Sequence, residues 1–319
     1  MKSVLNSFMV GVTIMSLLAV TVGCSSAPEN KTAGEKVTDI KVGVLSLVSA
    51  LPVFVAEADG YFEKEGLNVE LITFNSALEQ DAALQAGEID GYFSDPVNTI
   101  VMINGGVDIS IINTPYKANS KNRMFAILVS PQSKINNIEG LKGVEVAISN
   151  ATIIEYLQDK MLEHYGFTDD EIAGQEIKQI PVRMQLLLSG TIEAALLPEP
   201  LVSLAEYNGA RVIVDDRILN LPETVIAINN ALLKRDPTLK DRYLNALESA
   251  VNKINSDSAN LSDDVLAKIN VPEVIKSSYK IPEFPLNASP SGAEINEIQD
   301  WLIKKAILKE KLPQEKILK

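Results

Sequence analysis

The chain has 319 residues, and its 42 acidic and 29 basic side chains give a formal net charge of −13. Such an acidic balance argues against a nucleic-acid partner, because binding to a phosphate backbone needs a basic footprint. Cys24 is the only cysteine, which excludes an intramolecular disulfide and a thiolate metal centre. We therefore predict no nucleic-acid partner, no metal site and no other cofactor.

The N-terminus has the pattern of an export signal. Residues 8–22 carry no charged side chain, and this run is shorter than the roughly 20 residues that a membrane-spanning helix needs. Lys2, the apolar run and Gly23 directly before Cys24 resemble a bacterial lipoprotein signal, although Thr21 stands where such signals more often have leucine. The resemblance implies cleavage before Cys24, lipidation of that residue, and an extracytoplasmic protein anchored to the membrane.

Beyond residue 38, short β-branched runs alternate with longer amphipathic segments, as in βα units around a mainly parallel sheet. The pattern predicts strands at 40–46, 68–74, 91–93, 107–115 and 124–130, and helices at 52–66, 77–86 and 96–102. It starts again with strands at 144–149, 176–182, 192–197, 210–214 and 222–230, and helices at 152–165, 183–189 and 201–208. The remaining tail has helical periodicity, and Ser291 and Glu294 form a capping box for a helix at 294–305. We expect two α/β lobes, with the tail packed on the first.

Three segments resemble a known protein family. They are LPVFVAEADGYFEKEGLNVEL at 51–71, ALQAGEIDGYFSDP at 83–96 and LLLSGTIEAALLPEP at 186–200. These segments are similar to the substrate-binding proteins of ABC importers in the nitrate, sulfonate, taurine and thiamine-pyrimidine group, and the resemblance spans about residues 40–310. It implies an α/β, two-lobed type II periplasmic binding protein fold, with a hinge and a cleft in which the lobes close on a solute.

The element pattern and the resemblance together divide the chain into four parts. We predict a lipoprotein signal peptide at 1–23, a flexible tether at 24–38, lobe 1 at 39–120 and 225–319, and lobe 2 at 121–224. The tether is small and polar, without apolar periodicity, as flexible linkers are.

Ligands of open α/β sheets bind beyond the carboxyl ends of the strands, where helix N-termini point. The loops at those positions carry polar side chains and free backbone N–H groups that can hold a solute. The candidate ligand-binding residues are Ser46, Ser49, Leu51, Asn75, Ser76, Ser94, Asp95, Asn98, Tyr116, Ser149, Asn150, Thr152 and Glu199. For Ser76, Ser94, Asp95 and Thr152 helix capping is the alternative role.

The charged residues of the candidate loops indicate which charge the solute carries. They contain Asp95 and Glu199 but no lysine or arginine, and a carboxylate binds a cationic donor strongly. We therefore predict an aminopyrimidine-like or other nitrogen-containing solute. Nitrate, an alkylsulfonate or taurine is the alternative, because helix N-termini alone can hold an oxyanion. The basic residues nearest to these loops are Lys117, Lys121, Arg123 and Arg183.

An enzyme of thiamine-pyrimidine synthase-like type is an alternative of another class, because the resemblance extends to that fold. Those enzymes use histidine and a cysteine-rich motif, whereas His164 is the only histidine here and lies at the end of a predicted helix. No nucleophile elbow, P-loop, HExxH or EF-hand spacing occurs in the sequence. We predict no catalytic residue. A surface adhesin is a third alternative, which the lack of internal repeats disfavours.

The expected partners follow from the resemblance. They are a small-molecule solute, the permease and ATPase subunits of an ABC importer, and the membrane, reached through the lipid on Cys24. The protein itself is expected to be a monomer. Because the chain has no nucleotide-binding motif, ATP hydrolysis would belong to the partner subunits.

Overall fold

The structure is a computed structural model that describes residues 37–286 and 289–319. Cys24, the predicted signal peptide and most of the predicted tether lie outside the described residues. Within the described ranges, no helix combines the length and the apolar character that crossing a membrane requires.

Strands and helices alternate along most of the described chain. The strands are β1 (Thr38–Leu45), β2 (Leu67–Phe74), β3 (Gly91–Ser94), β4 (Ile109–Lys117), β5 (Phe125–Val129), β6 (Glu145–Ile148), β7 (Ala173–Glu176), β8 (Ala194–Pro198), β9 (Arg211–Asp215) and β10 (Pro222–Asn229). The helices are α1 (Leu51–Ala58), α2 (Tyr61–Lys64), α3 (Ala77–Gln85), α4 (Pro96–Asn104), α5 (Ile153–His164), α6 (Ile180–Ser189), α7 (Leu201–Tyr207), α8 (Asn230–Arg235), α9 (Leu239–Asp257), α10 (Asp263–Lys268), α11 (Glu273–Lys276), α12 (Gly292–Lys304) and α13 (Gln314–Ile317).

The strands form two five-stranded sheets, ordered β2-β1-β3-β10-β4 and β7-β6-β8-β5-β9. In each sheet one strand, β10 or β5, runs antiparallel to both of its neighbours, whereas β1 and β6 pair in parallel with theirs. We call the first sheet with its helices lobe 1 and the second sheet with its helices lobe 2. Strands β3 and β10 pack so closely in the first sheet that only glycine fits at position 91, because a Cβ there would lie 2.6 Å from the Ala227 carbonyl oxygen.

The chain passes between the lobes twice, after β4 and before β10. These two crossing segments are held together by hydrogen bonds. The buried Asp216 carboxylate accepts the backbone N–H groups of Met124, at 3.0 Å, and Phe125, at 2.9 Å. Ala118 N–H donates to the Leu221 carbonyl at 2.9 Å. The connection between the lobes thus consists of two short segments, at 118–124 and 216–221, that are joined by hydrogen bonds, as expected for a hinge.

The helical tail packs on lobe 1. Helix α9 lies against α1 and α2, α12 against α4, and α13 against β4. Helix α12 begins with the predicted capping box, in which Ser291 and Glu294 satisfy each other's backbone N–H groups. The tail therefore completes lobe 1 after the chain has returned from lobe 2.

Two predicted elements differ from the structure. The predicted strand at 176–182 is wrong, because the observed strand β7 covers Ala173–Glu176 and helix α6 already starts at Ile180. Pro181 explains the difference, because proline is well suited to the first turn of a helix and cannot donate to a strand ladder. The predicted helix at 52–66 is two helices, α1 and α2, because Gly60 adopts a positive φ of 66° between them.

Candidate functional site

A cavity of about 50 Å³ lies between the two lobes. Its wall contains the ends of strands β1, β3, β6 and β8 and the starts of helices α3, α5 and α6, and most of the side chains are apolar. The lining residues are Leu45, Leu47, Ala77, Phe93, Ser94, Asp95, Glu223 and Thr224 from lobe 1, and Phe125, Ser149, Thr152, Ile153, Ile154, Lys178, Ile180, Arg183 and Pro198 from lobe 2. The cavity is at the strand ends where the fold rule places a ligand.

Helices α4 and α5 begin at this cavity, one from each lobe. Asp95 is the N-cap of α4 and accepts the N–H of Asn98 at 2.7 Å. Thr152 is the N-cap of α5, where its hydroxyl oxygen accepts the N–H of Ile154 at 3.2 Å and its hydroxyl group donates to the Ser149 carbonyl at 2.7 Å. Both side chains therefore cap helices and also contribute to the wall of the cavity.

Arg183 lies on α6 with its side chain at the cavity and is fully buried. None of its three guanidinium nitrogens has a hydrogen-bond partner among the described residues. Burial lowers the pKa of Arg183 to about 10, so the side chain is still cationic at neutral pH. A buried charge is normally paired, because the cost of removing it from water is large. The cavity therefore contains a cation without a counter-charge in the described part of the chain.

The acidic groups of the cavity wall do not neutralise this cation. Burial raises the pKa of Glu223 well above its ordinary value, with a further contribution from the neighbouring Asp216. Burial also raises the pKa of Asp95 to about 7, and the pKa of the nearby Asp81 to about 6. Burial thus favours the uncharged form of Glu223, and Asp95, with a pKa of about 7, is partly protonated at neutral pH.

The raised pKa of Asp95 predicts how stability depends on pH. The native protein binds the proton more tightly than the unfolded chain, so the contribution of this group is present below about pH 4 and is lost as pH rises to about 7. We expect Asp95→Asn, which keeps a good N-cap residue, to remove up to about 1.4 kcal/mol per pH unit of that slope. Urea unfolding across this pH range measures it, with the exposed Asp264→Asn as the control. Equal slopes in Asp95→Asn and wild type would contradict the assignment.

Glu199 lies away from this cavity, in a separate polar groove of about 560 Å³. Arg123 donates to its Oε1 from Nε at 2.9 Å and from Nη2 at 2.8 Å, while its Oε2 accepts the N–H of Ser203 at 3.2 Å. Arg123 also binds Glu206 at 2.7 Å. The predicted role of Glu199 as a carboxylate in the cleft is therefore not supported by its position, because both of its oxygens already bind protein groups.

The other predicted site residues divide by position. Ser94, Asp95, Ser149 and Thr152 line the cavity. Ser76 caps α3, and the Asn98 side chain donates to Asp81 at 2.7 Å. Tyr116 is fully buried at the hinge, where its hydroxyl donates to the Asn122 carbonyl at 3.2 Å. The remaining candidates do not line the cavity: Ser49 and Leu51 are buried, Ser46 is half-buried, and Asn75 and Asn150 are exposed.

The sequence alone identifies Arg183 only as a basic residue near the candidate loops, but the spacing of its neighbours indicates that it is buried. Ile180, Arg183 and Leu187 are spaced at i, i+3 and i+7, so they lie on one face of a helix. A charged residue on an apolar helical face is unusual and indicates either a buried ion pair or a ligand. Lys178 is the second cationic residue of the cavity wall, and it is exposed and pairs with Glu176 at 3.5 Å.

The described residues contain no cluster of three or more histidine, cysteine, aspartate or glutamate side chains arranged to hold a metal ion. His164 lies in the last turn of α5, as predicted. Its ring packs edge-on against Tyr165, with the ring centroids 5.1 Å apart.

Two relatives share most of the chain's length. A putative aliphatic sulfonates-binding protein of Bacillus subtilis (strain 168) is 24% identical over 290 residues, which cover 85% of this chain and 83% of that protein. A putative ABC transporter periplasmic binding protein of Brachyspira hyodysenteriae is 22% identical over 260 residues, which cover 76% and 72%. Both are named as binding proteins.

The fold is that of a solved binding protein. The alkanesulfonate-binding protein SsuA from Xanthomonas axonopodis pv. citri, in its structure bound to MOPS, is similar with a TM-score of 0.71 at 16% identity. The similarity covers 88% of this chain and 96% of that one. It confirms the predicted α/β, two-lobed periplasmic binding protein fold. The model of the NMT1-like family matches residues 33–269, and the chain belongs to that family.

Proposed function

We propose that this protein is the solute-binding component of an ABC importer and that it captures a small organic anion between its lobes. The acid group of the solute binds Arg183, and its apolar part contacts the cavity wall. The observation that carries this proposal is the buried guanidinium without a partner among the described residues. An anionic solute supplies the missing counter-charge and hydrogen-bond acceptors.

The geometry of arginine favours acids with several oxygens. A guanidinium presents its N–H donors in a planar fork, which matches two oxygens of a carboxylate, sulfonate or phosphate group. Phe93, Phe125 and Ile153 are among the apolar residues of the same cavity wall, and they favour a solute with hydrocarbon over a fully hydrated inorganic ion. Aliphatic sulfonates combine both features, and two of the similar proteins are named as binding sulfonates.

The acidic residues of the site weaken the case for an aminopyrimidine-like cation. Glu199 is bound by Arg123 and Ser203, and burial raises the pKa of Glu223, which favours its uncharged form. Asp95 remains as a single carboxyl group with a pKa raised to about 7. A cationic solute would therefore meet a buried arginine and only one partly ionised carboxylate, which is unfavourable by Coulomb's law.

The family and the similar binding proteins support a proposal about where the protein acts and with which partners. The two relatives and the solved structure are binding proteins, and we propose that this chain has no catalytic role. We further propose that the protein acts outside the cytoplasm as a monomer, with a lipid on Cys24 holding it at the membrane, and delivers its solute to a permease with ATPase subunits. Binding shifts the equilibrium between open and closed lobes only if the solute prefers the closed state.

A thermal-shift screen of the purified protein tests the solute class. The panel contains short alkanesulfonates and alkanecarboxylates, taurine and nitrate in one group, and aminopyrimidines and simple amines in the other. A ligand at 100 times its Kd stabilises the native state by about 2.7 kcal/mol, which is readily measured. We expect stabilisation by organic acids, strongest for sulfonates. Stabilisation by the amines alone, or by no anion, would contradict the proposal.

A further inference from the structure

The lobes also touch outside the solute cavity, through helix α12 of lobe 1 and helix α5 of lobe 2. Helix α12 belongs to lobe 1, because it packs on α4 and its Glu294 pairs with Lys117 at the end of β4. Helix α5 follows β6 in the sheet of lobe 2. Because one helix belongs to each lobe, a hinge motion that separates the lobes on this face would move the two helices apart.

Ion pairs of both polarities join the two helices, and one of them places Lys160 of α5 3.0 Å from Glu297 of α12. Lys305, the C-cap residue of α12, lies 2.8 Å from the Asp159 carboxylate and 2.9 Å from Glu155. Trp301 Nε1–H donates to Asp159 at 2.8 Å, and Lys304 pairs with Glu163 at 3.1 Å. We call these six residues, Trp301, Lys304 and Lys305 on α12 with Glu155, Asp159 and Glu163 on α5, the α12 latch.

Burial makes the latch energetically significant. The side chain of Asp159 is only 5% exposed, and that of Glu155 is 14% exposed, so these pairs are screened less than surface pairs. Trp301 is 4% exposed, and its ring packs edge-on against Tyr156 with centroids 5.2 Å apart. Opening the lobes would separate Asp159 from both of its partners on α12 and would expose the indole ring.

The latch also connects to the cavity wall. Glu155 pairs with Lys305 through Oε1, and its Oε2 accepts the N–H of Ala151 at 2.7 Å, directly before Thr152 at the start of α5. The same helix therefore lines the cavity with its first residues and meets α12 with the following turns. A change at the latch changes the position of the α5 N-terminus relative to lobe 1.

We propose that the α12 latch holds the lobes closed in the absence of solute and thereby sets the open-to-closed ratio from outside the binding cavity. Fewer open molecules then have to close when the solute binds. The apparent affinity for the solute rises, because it scales with the fraction of molecules already in the closed, binding-competent state. This inference does not depend on whether the solute is an anion.

The test uses the solute-free protein and the variant Lys305→Gln. Removal of this cation leaves Asp159 and Glu155 without their ion pairs, and we expect the open-to-closed ratio to rise by about fivefold or more, the factor that corresponds to about 1 kcal/mol. Small-angle X-ray scattering should show a larger radius of gyration. Because Trp301 is the only tryptophan, acrylamide quenching of its fluorescence should increase in the same variant.

Lys311→Gln is the matched control, because Lys311 pairs with Asp300 at 2.8 Å entirely within the tail of lobe 1. Lys304→Gln is a second latch variant and should open the protein less, since Lys304 is more exposed, at 46%, than Lys305, at 30%. Scattering and quenching of both latch variants equal to those of Lys311→Gln would overturn the proposal, whatever the solute screen shows.

Discussion

Arg183→Met is expected to stabilise the solute-free protein while abolishing its response to the solute. Methionine fills a similar volume without a charge, and replacing buried charged groups with apolar residues is often stabilising by about 1–4 kcal/mol. Arg183 is fully buried, and its guanidinium has no partner among the described residues. Removing it therefore relieves a desolvation cost and removes the group that binds the acid.

Urea unfolding with and without the best organic acid from the screen measures both effects. Lys178→Met is the control, because Lys178 also lines the cavity but is exposed and paired with Glu176. That variant should keep most of the solute response and change the free energy of unfolding by less than about 1 kcal/mol. A destabilised Arg183→Met protein that still binds the acid would show that Arg183 has a structural role instead.

Arg123→Met is expected to destabilise the protein by about 3–5 kcal/mol, because it leaves a buried carboxylate unpaired. The Glu199 side chain is 5% exposed and that of Arg123 is 19% exposed, so solvent cannot replace the missing partner. The double variant Arg123→Met/Glu199→Met should recover most of this loss, since it removes both charges. Urea unfolding at neutral pH provides the comparison.

Arg217→Met is the matched control for this pair. Arg217 binds Asp215 at 2.6 Å but is 49% exposed, so its loss should cost less than about 1 kcal/mol. Glu199→Gln addresses the role predicted from the sequence, in which this carboxylate binds the solute. We now expect this variant to lose stability and to keep its solute affinity within a few-fold. A loss of affinity of tenfold or more at unchanged stability would restore the ligand role.

Much of the fold could be predicted from local pattern. The alternation of β-branched runs and amphipathic segments indicated α/β lobes, and the Ser291 and Glu294 pair marked the start of α12. The errors fell where a helix begins or bends without a strong pattern. Pro181 moved the start of α6 into a predicted strand, and Gly60 divided a predicted helix in two.

The site was less predictable, for a physical reason. Strand ends and helix starts are local features, and they led to Ser94, Asp95, Ser149 and Thr152, which line the cavity. Whether a charged residue has a partner depends on tertiary structure. Arg123 is 76 positions from Glu199 in the sequence and binds it. The sequence therefore could not show that the Glu199 carboxylate already has a guanidinium partner. Arg183 has no such partner among the described residues, and this could be recognised only after folding.

A crystal structure of the protein with the organic acid that gives the largest thermal shift would show whether the solute binds Arg183. We predict the acid group within hydrogen-bond distance of the Arg183 guanidinium and the hydrocarbon part against Phe93 and Phe125. A solute bound elsewhere, for example in the polar groove beside Arg123, with Arg183 still unpartnered, would show that Arg183 is not the anion-binding group.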